Sequence, residues 1–379
     1  MLEHQSTVFG EMSALAVATG SVNLGQGFPD TDGPQQVKDA AIRAISDGRG
    51  NQYPPAHGLP QLRTAVAEHQ QRFYGIELDP VSDVVVTTGA SEAIAAALLA
   101  LVDDGDEVVM FSPWFDLYAA AVSLAGGTRV EVPLTAGDFR PDADALRAAI
   151  TPRTRLLLLN SPHNPTGSVF TRHELAAIAA VVEDHDLWVI SDEAYEHLVY
   201  TGAEHVPFST LPGMGERTVT IGSAGKSLSF TGWKVGWATG PTDLVAAVRV
   251  PRQHLSYVSG GPFQWAVVEG LALPDSYWIG FRDGLQAQRD LLCDGLADLG
   301  FPVTVPEGTY FATTDVRPLG YADGWEFCRD LPHRAGVVAI PHEVFHDDPA
   351  AGRPFVRWAF CKRPEVLAEA LDRLARAFG

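Results

Sequence analysis

Short apolar runs alternate with longer amphipathic stretches through the middle of the chain, between residues 84 and 250. Each run is five or six residues long and rich in Val, Ile and Leu, which is typical of strands buried on both faces. Strands are predicted at 84–88, 107–111, 128–132, 155–160, 187–191, 218–222 and 234–238, with helices at 91–102, 142–150 and 172–185. Strands that alternate with helices predict an α/β fold with a mostly parallel sheet flanked by helices.

The pattern changes in the C-terminal part. Long helical stretches at 276–300 and 364–378 bracket short predicted strands near 302–305, 310–314, 337–340 and 355–360, which predicts a smaller α+β domain. A chain of 379 residues is also longer than one core usually serves. We therefore predict a large domain at 46–270, and a small domain built from 271–379 and the N-terminal arm, 1–45.

Composition limits the classes of function. The net charge is −20, from 47 acidic and 27 basic residues, so the basic field that nucleic-acid binding requires is missing. The N-terminal MLEHQSTVFGEM has no basic, apolar leader, and the longest apolar run, 93–102, is about half of what a bilayer needs. Three scattered cysteines without a CxxC predict a reducing, cytoplasmic setting. No membrane or nucleic-acid partner is expected.

Polar, turn-rich segments follow several of the predicted strands. They are TTGASEA, SPWFDLY, NSPHNPTG, SDEAYEH and GSAGKS. Ligands of parallel sheets bind outside the carboxyl ends of the strands. The sequence therefore predicts that these segments share one site.

Two charged residues in these segments are candidates for catalysis. Lys226 follows a strand and a glycine, and a lysine held in a pocket can lose its proton and form a Schiff base; the alternative is a solvated surface lysine. Asp192 ends a predicted strand and is placed to accept a hydrogen bond from a pyridinium nitrogen. The alternative for Asp192 is a helix N-cap.

Three further segments are candidates for binding. Ala90 and Ser91 lie at a predicted helix start, where free N–H groups attract phosphate, although small residues are common there without a ligand. The Asn164 amide can donate to a phenolate oxygen, or its segment is only a loop. Arg357, in an apolar strand, needs a carboxylate partner, which is either a substrate or an internal salt bridge.

Taken together, these segments resemble the class I aminotransferases of fold type I, which are pyridoxal-phosphate enzymes. The resemblance extends from NLGQGFPD at 23–30 to FVRWAFCK at 355–362. Its most specific parts are NSPHNPTG and the string SAGK followed by TGWKVGW. It implies a large cofactor-binding domain, a smaller domain, a homodimer, and a ping-pong exchange between an L-amino acid and a 2-oxo acid.

The resemblance also implies a role for each candidate residue. Lys226 would form the internal aldimine and move the proton between Cα and the cofactor, and Asp192 would bind the pyridine nitrogen. The other implied cofactor contacts are Asn164 and Tyr195 to the ring oxygen, Phe115 (or its neighbour Trp114) stacked on the ring, and Ala90, Ser91, Ser223, Lys234 and Tyr53 of a second subunit to the phosphate. Arg357, near the backbone of Gly27, would bind the substrate carboxylate together with Asn164.

Within the family, the sequence most resembles actinobacterial N-succinyldiaminopimelate aminotransferases, which share VNLGQGFPDTDGP and QYPP. Methionine and kynurenine aminotransferases are similar as well. The stretch HLSYVSGGPFQ at 254–264 is shorter than in the kynurenine type and aligns without a gap to the methionine type. This difference argues against a preference for kynurenine.

Three other classes fit parts of the sequence. A carbon–sulfur β-lyase would use the same cofactor and scaffold. Gly225-Lys226-Ser227 resembles the end of a P-loop, but Thr220 stands where that motif requires glycine, which argues against a nucleotide triphosphatase. His342-Glu-Val-Phe-His346 matches the zinc-protease motif HExxH, but Pro341 before it and a proline soon after leave too short a helix. We therefore expect a solvated loop there, and no metal.

Overall fold

The computed structural model describes residues 8–379 as alternating helices and strands. The helices are α1 (Val8–Thr19), α2 (Gln35–Ser46), α3 (Pro60–Tyr74), α4 (Gly89–Leu101), α5 (Asp116–Leu124), α6 (Ala143–Ala149), α7 (Arg172–Asp184), α8 (Ala224–Ser227), α9 (Thr242–Leu255), α10 (Gly261–Leu271), α11 (Asp275–Asp298), α12 (Gly324–Arg334), α13 (Pro349–Gly352) and α14 (Pro364–Phe378). The strands are β1 (Val22–Asn23), β2 (Val84–Thr87), β3 (Glu107–Ser112), β4 (Thr128–Pro133), β5 (Thr154–Asn160), β6 (Trp188–Asp192), β7 (Thr218–Ser223), β8 (Gly236–Thr239), β9 (Val303–Thr304), β10 (Phe311–Asp315), β11 (Val337–Val338), β12 (Ile340–Pro341) and β13 (Phe355–Ala359).

Seven strands form the central sheet, in the order β2-β8-β7-β6-β5-β3-β4. The strands from β7 to β4 run parallel, while β8 is antiparallel to both of its neighbours. The prediction of a mostly parallel α/β sheet is confirmed, and each of the seven predicted strands is present within two residues of its expected bounds. The antiparallel orientation of β8 could not be predicted, because an apolar run has the same sequence pattern in a parallel and in an antiparallel strand.

Helices cover both faces of this sheet, which explains why inner strands such as β3 and β5 are largely apolar, whereas the edge strand β4 carries Arg129 and Glu131. Alanine-rich α4 packs with Leu156 and Leu158 of β5 on one face, while α7 packs with Leu157 and Leu159 on the other. The start of α7 is fixed by a capping box, in which Thr171 and Glu174 exchange side-chain and backbone hydrogen bonds.

A second core is built from both ends of the chain. Its four-stranded sheet has the order β12-β13-β10-β9, and β1 pairs in parallel with β11. Met12 and Ala16 of α1 lie in the same hydrophobic cluster as Phe327 of α12 and Trp358 of β13, whereas α2 packs into the cluster of the large sheet beside α10. The division of the chain into domains at residues 45 and 270 stays a prediction.

Candidate active site

A cavity of about 380 Å³ lies outside the carboxyl ends of the central parallel strands, where the two sheets meet. It brings together residues from the N-terminal arm, the loops after β2, β3, β5, β6 and β7, and the small sheet. Nearly all residues that the sequence singled out line it: Gly27, Ala90, Ser91, Phe115, Asn164, Asp192, Tyr195, Ser223, Lys226, Lys234 and Arg357.

Asp192, the last residue of β6, is buried at the wall of this cavity. Its Oδ2 accepts a hydrogen bond of 2.6 Å from the Tyr118 hydroxyl, and its Oδ1 accepts one of 3.1 Å from the Ala194 N–H. Burial raises the pKa of Asp192, and the bond from Tyr118 works against that rise. No helix starts directly after β6, where residues 194–197 form a turn, so the interpretation of Asp192 as a helix N-cap is wrong: its bond to Ala194 stabilises that turn.

Lys226 lies in the single turn of α8, directly after β7, and its amine faces the cavity. Nζ donates a 3.0 Å hydrogen bond to the Tyr310 hydroxyl and lies 5.4 Å from the centre of the Tyr195 ring. Burial lowers the pKa of Lys226 to about 8. This is an enclosed amine, of which about a tenth is neutral at pH 7, and not a solvated surface lysine.

Arg357 reaches the cavity from β13 and is 2% exposed. Its Nη1 donates to Asn164 Oδ1 and its Nη2 to the Gly25 carbonyl, each at 3.1 Å, while Nε has no hydrogen-bond partner among the described residues. The guanidinium stacks on Phe311, 4.0 Å from the ring centre. Arg357 forms no salt bridge with any residue in the described range 8–379, so the internal ion pair that was its alternative is absent there.

Asn164 is oriented by its neighbours. The loop before it is fixed because Asn160 Oδ1 accepts a 2.8 Å hydrogen bond from the Asn164 N–H, while Asn160 Nδ2 donates to the Asp192 carbonyl. Since Arg357 occupies Oδ1 of Asn164, the Nδ2 group is left to donate to a ligand oxygen.

An anion-binding corner is formed where α4 begins. Gly89 has φ of +74°, which lets the chain turn sharply into the helix, and a Cβ atom there would lie 3.1 Å from Lys234 Nζ. That amine is 3.3 Å from the Ser91 hydroxyl, and Ser223 lines the same cavity. Free N–H groups of a 13-residue helix, two hydroxyls and an ammonium together suit a phosphate group.

Two aromatic residues and one glycine complete the predicted set. Phe115 lines the cavity, whereas Trp114, its proposed alternative, is packed into the hydrophobic core between α4 and the sheet. Tyr53 does not line the cavity of its own chain: it is 80% exposed and packs edge-on against Tyr257. Gly27 approaches Phe311 so closely that a Cβ atom would lie 2.5 Å from its ring.

Sequence reasoning missed three residues that contact the catalytic candidates: Tyr118, Tyr310 and Phe311. Tyr118 had a detectable signal, because it lies one helical turn after Phe115 at the start of α5 and so faces the same side. Tyr310 and Phe311 come from the small sheet, and no local pattern connects them with Lys226 or Arg357.

The HExxH segment is a single 3₁₀ turn, His342–Phe345, and His346 lies beyond its end. Our expectation of a solvated loop is wrong, because His342 and Phe345 are fully buried, and the His346 side chain is only 5% exposed. His342 Nε2 pairs with the Thr313 hydroxyl at 3.0 Å. The two histidines do not share a helical face, so the geometry of a zinc protease is not met.

The cavity has the groups that pyridoxal phosphate requires. An amine with a lowered pKa suits the aldehyde, a buried carboxylate suits the ring nitrogen, and an apolar ring suits the ring face. The space beside Gly89, which a Cβ atom would occupy, lies next to Lys234 and suits the phosphate. The donor set therefore fits the cofactor.

Comparisons with known proteins give the same answer. Residues 19–374 match the family model "Aminotransferase class I and II". The chain is 51% identical to the probable N-succinyldiaminopimelate aminotransferase DapC of Mycobacterium tuberculosis, covering 98% of this chain and 96% of that one, and 38% identical to the methionine aminotransferase of Escherichia coli K12, covering 97% and 95%. The solved structure of the Mycobacterium tuberculosis N-succinyldiaminopimelate aminotransferase superposes with a TM-score of 0.97 at 51% identity, covering 99% of this chain and 98% of that one. These relatives support neither the carbon–sulfur lyase nor the zinc hydrolase.

Proposed function

Because the chain belongs to the class I and II aminotransferase family, we propose a role for each residue around its cavity. The protein is an aminotransferase that depends on pyridoxal phosphate. When bound, the cofactor supplies an aldehyde for the amino group and a ring that spreads the negative charge developing at the substrate Cα. The observation that carries the proposed roles is that the Lys226 amine and the Asp192 carboxylate meet in one cavity.

Lys226 holds the cofactor and moves the proton at the substrate Cα. Its pKa of about 8 means that a useful fraction of the amine is neutral near neutral pH, which both tasks require. Tyr310 and the Tyr195 ring orient the amine within the cavity. Holding the base beside the reacting carbon removes much of the entropic cost of proton transfer.

Asp192 keeps a proton on the ring nitrogen of the cofactor. A carboxylate that is already bonded to Tyr118 and Ala194 is fixed in place, so it does not need to reorganise during the reaction. Asn164 and Tyr195 hydrogen-bond the ring oxygen, Phe115 stacks on the ring, and Ala90, Ser91, Ser223 and Lys234 bind the phosphate.

Arg357 binds the substrate α-carboxylate, with Asn164 and the backbone of Gly27 beside it. Two of its donors are used within the chain, which leaves the Nε–H and part of the guanidinium fork for a carboxylate. The carboxylate is thereby fixed relative to Lys226.

The role of Lys226 is tested by trapping the cofactor. Borohydride reduction of the holoenzyme, digestion and mass spectrometry should locate the cofactor on the peptide that carries Lys226. Attachment to another lysine, such as Lys234 eight residues later, would overturn the assignment.

A homodimer that shares its sites is the second part of the proposal. Tyr53 packs edge-on against Tyr257, both side chains are exposed, and a partner surface there would bury them. Tyr53 would then contact the phosphate of the partner's site.

The three cysteines are buried and unpaired, which supports a reducing cytoplasmic setting.

Hybrid dimers test whether Tyr53 acts across the interface. In a hybrid of a Lys226→Ala chain and a Tyr53→Phe chain, action in trans leaves one site with both native residues, so cofactor affinity at that site should equal the wild-type value. Action in cis leaves no such site, and every active site would then show the weakened affinity of the Tyr53→Phe homodimer. Sedimentation equilibrium gives the oligomeric state independently.

For the amino donor, we propose an L-amino acid whose side chain is uncharged and largely apolar. The cations that line the cavity in the described range are Lys226, Lys234 and Arg357, and each already has a task, so none remains for a second carboxylate. Phe9, Phe28 and Ile94 give the cavity apolar surface instead. Methionine should therefore discharge the cofactor faster than N-succinyl-L,L-diaminopimelate in a single-turnover assay; the reverse order would overturn this preference.

A further inference from the structure

Two histidines and a glutamate cluster on the side of the 192–197 segment that faces away from the active-site cavity. His69 of α3 and His197 approach with their Nε2 atoms 2.7 Å apart. Glu196 lies beside them, and the candidate ligand atoms of the three residues all lie within 4.8 Å of one another. Asp192 and Tyr195, from the same segment, line the active-site cavity instead.

The types of residue in this cluster suit a metal ion. One nitrogen of the short His69–His197 hydrogen bond must act as the acceptor, so at least one ring already presents an unprotonated nitrogen. Two imidazoles and a carboxylate form a three-ligand set that Zn²⁺ accepts, with a water molecule in the fourth position. His69 and Glu196 are both buried, whereas His197 is partly exposed.

Neighbouring side chains fix the orientation of all three residues. Gln70 Nε2 donates a 3.2 Å hydrogen bond to Glu196 Oε2. The His197 ring stacks on Trp278 with centroids 4.1 Å apart, and the Phe73 ring lies 4.8 Å from each imidazole. Outer contacts of this kind hold metal ligands in place.

The cluster is open to ions on one side. Glu196 and His197 line a second cavity of about 500 Å³, together with Tyr74, His205 and Trp278. This cavity shares no lining residue with the active-site cavity. An ion and its water can therefore reach the cluster without passing the catalytic residues.

We infer that His69, Glu196 and His197 bind one divalent transition-metal ion of the zinc class. Zn–N bonds of about 2.1 Å at a tetrahedral angle separate two nitrogens by about 3.4 Å, so the two rings must move apart by about 0.7 Å. His197 has the room, because it borders the cavity. The ion joins α3 to the segment that carries Asp192 and Tyr195, and an ion that binds only the folded chain raises its melting temperature.

Isothermal titration with ZnCl₂ tests the site in holoenzyme that has been treated with EDTA and dialysed. We expect one ion per chain. His69→Gln, Glu196→Gln and His197→Gln should each weaken the affinity by more than about tenfold. His185→Gln, which changes an exposed histidine elsewhere, is the matched control and should leave the affinity unchanged.

Zinc-edge X-ray absorption on the loaded wild-type holoenzyme gives a readout that does not depend on the variants folding. The spectrum should show two imidazole ligands and oxygen ligands, without sulfur. Zinc should also raise the melting temperature of the wild type but not of His197→Gln. Less than stoichiometric binding at saturating zinc, an absorption spectrum with fewer than two imidazoles, or wild-type affinity in folded His69→Gln and His197→Gln would each overturn the inference.

Discussion

Asp192 and Arg357 reach the same cavity from two different sheets, and both are almost completely buried, yet their hydrogen bonds differ. Both carboxylate oxygens of Asp192 accept a bond from within the chain, from Tyr118 and Ala194. The Arg357 guanidinium keeps Nε without a partner among the described residues and rests on the ring of Phe311. The Asp192 carboxylate is therefore held in place by bonds within the chain, whereas the Arg357 guanidinium keeps a free donor for a ligand.

This difference separates two kinds of effect. Asp192 holds a fixed charge and Lys226 a base beside the reacting atoms, so changing either residue should lower kcat. Arg357 provides binding that is used throughout the cycle, so changing it should mainly raise KM. The predictions below test this separation.

Lys226→Ala should have the largest effect. The variant loses both the attachment point of the cofactor and the base, and general-base catalysis alone contributes up to about 10⁴-fold. We expect kcat to fall by at least about 10³-fold, together with loss of the covalently bound cofactor, measured by steady-state kinetics and by mass spectrometry after reduction. Lys38→Ala, which changes a surface lysine paired with Asp32, is the control. A Lys226→Ala enzyme with full activity would exclude the proposed mechanism.

Asp192→Asn should rank second. Asparagine keeps the shape and still accepts a bond from Tyr118, but it cannot hold a proton on the ring nitrogen by charge. We expect kcat to fall by about 10²-fold or more, with weaker binding of the cofactor, measured by kinetics and equilibrium dialysis. An effect confined to KM would show that Asp192 and Arg357 do not differ in the way proposed here.

Arg357→Gln should act mainly on binding. The variant loses the charge and keeps a shorter side chain that can still donate a hydrogen bond. A hydrogen bond to a charged group contributes about 1.5–3 kcal/mol, so KM for the amino donor should rise by about 10- to 100-fold. The measurement is the separate dependence of kcat and KM on donor concentration. An unchanged KM would show that another residue binds the carboxylate.

The pH dependence of cofactor capture probes Lys226 without a mutation. Its pKa is lowered to about 8, so the amine is mostly protonated at pH 7 and mostly neutral at pH 9. Attachment of the cofactor to the apoenzyme requires the neutral amine, so its rate should rise by about tenfold between pH 7 and 9 and then level off. A rate that keeps rising toward pH 10.5 would show that Lys226 behaves as an unperturbed lysine.

Much of the large sheet was predictable, because strands buried on both faces have a continuous apolar sequence and their turns carry distinct residues. The runs at 155–160 and 187–191 became β5 and β6 almost unchanged. The position of the cavity was predictable for the same reason, since Asp192 is the last residue of one parallel strand and Lys226 closely follows another. Residues that meet the site from a distant part of the chain, such as Tyr310 and Phe311, leave no local signal. The buried state of His342 was missed for the same reason.

Tyr118 lies between the residues that had a local sequence signal and those that had none, and changing it is the finest test of how Asp192 is held. It was missed although it lies one turn after Phe115, because a single tyrosine on a helix does not reveal its partner. Its hydroxyl donates to Asp192 at 2.6 Å and works against the rise in the pKa of that carboxyl, so Tyr118 is a positioning residue. Tyr118→Phe removes one bond and leaves the Ala194 N–H in place, so kcat should fall by about three- to tenfold, less than in Asp192→Asn.

A merely structural role for Tyr118 would lower stability without changing the Asp192 carboxyl. The acid limb of the kcat profile should therefore shift to higher pH in Tyr118→Phe, because the carboxyl that loses its donor binds a proton more readily. Ser123→Ala, on the same helix, removes a hydroxyl that bonds the Ala119 carbonyl and Arg129, and should leave the profile unchanged. A Tyr118→Phe profile that coincides with the wild type would mean that the Ala194 N–H alone holds the Asp192 carboxylate in place and that the bond to Oδ2 has no effect on its protonation.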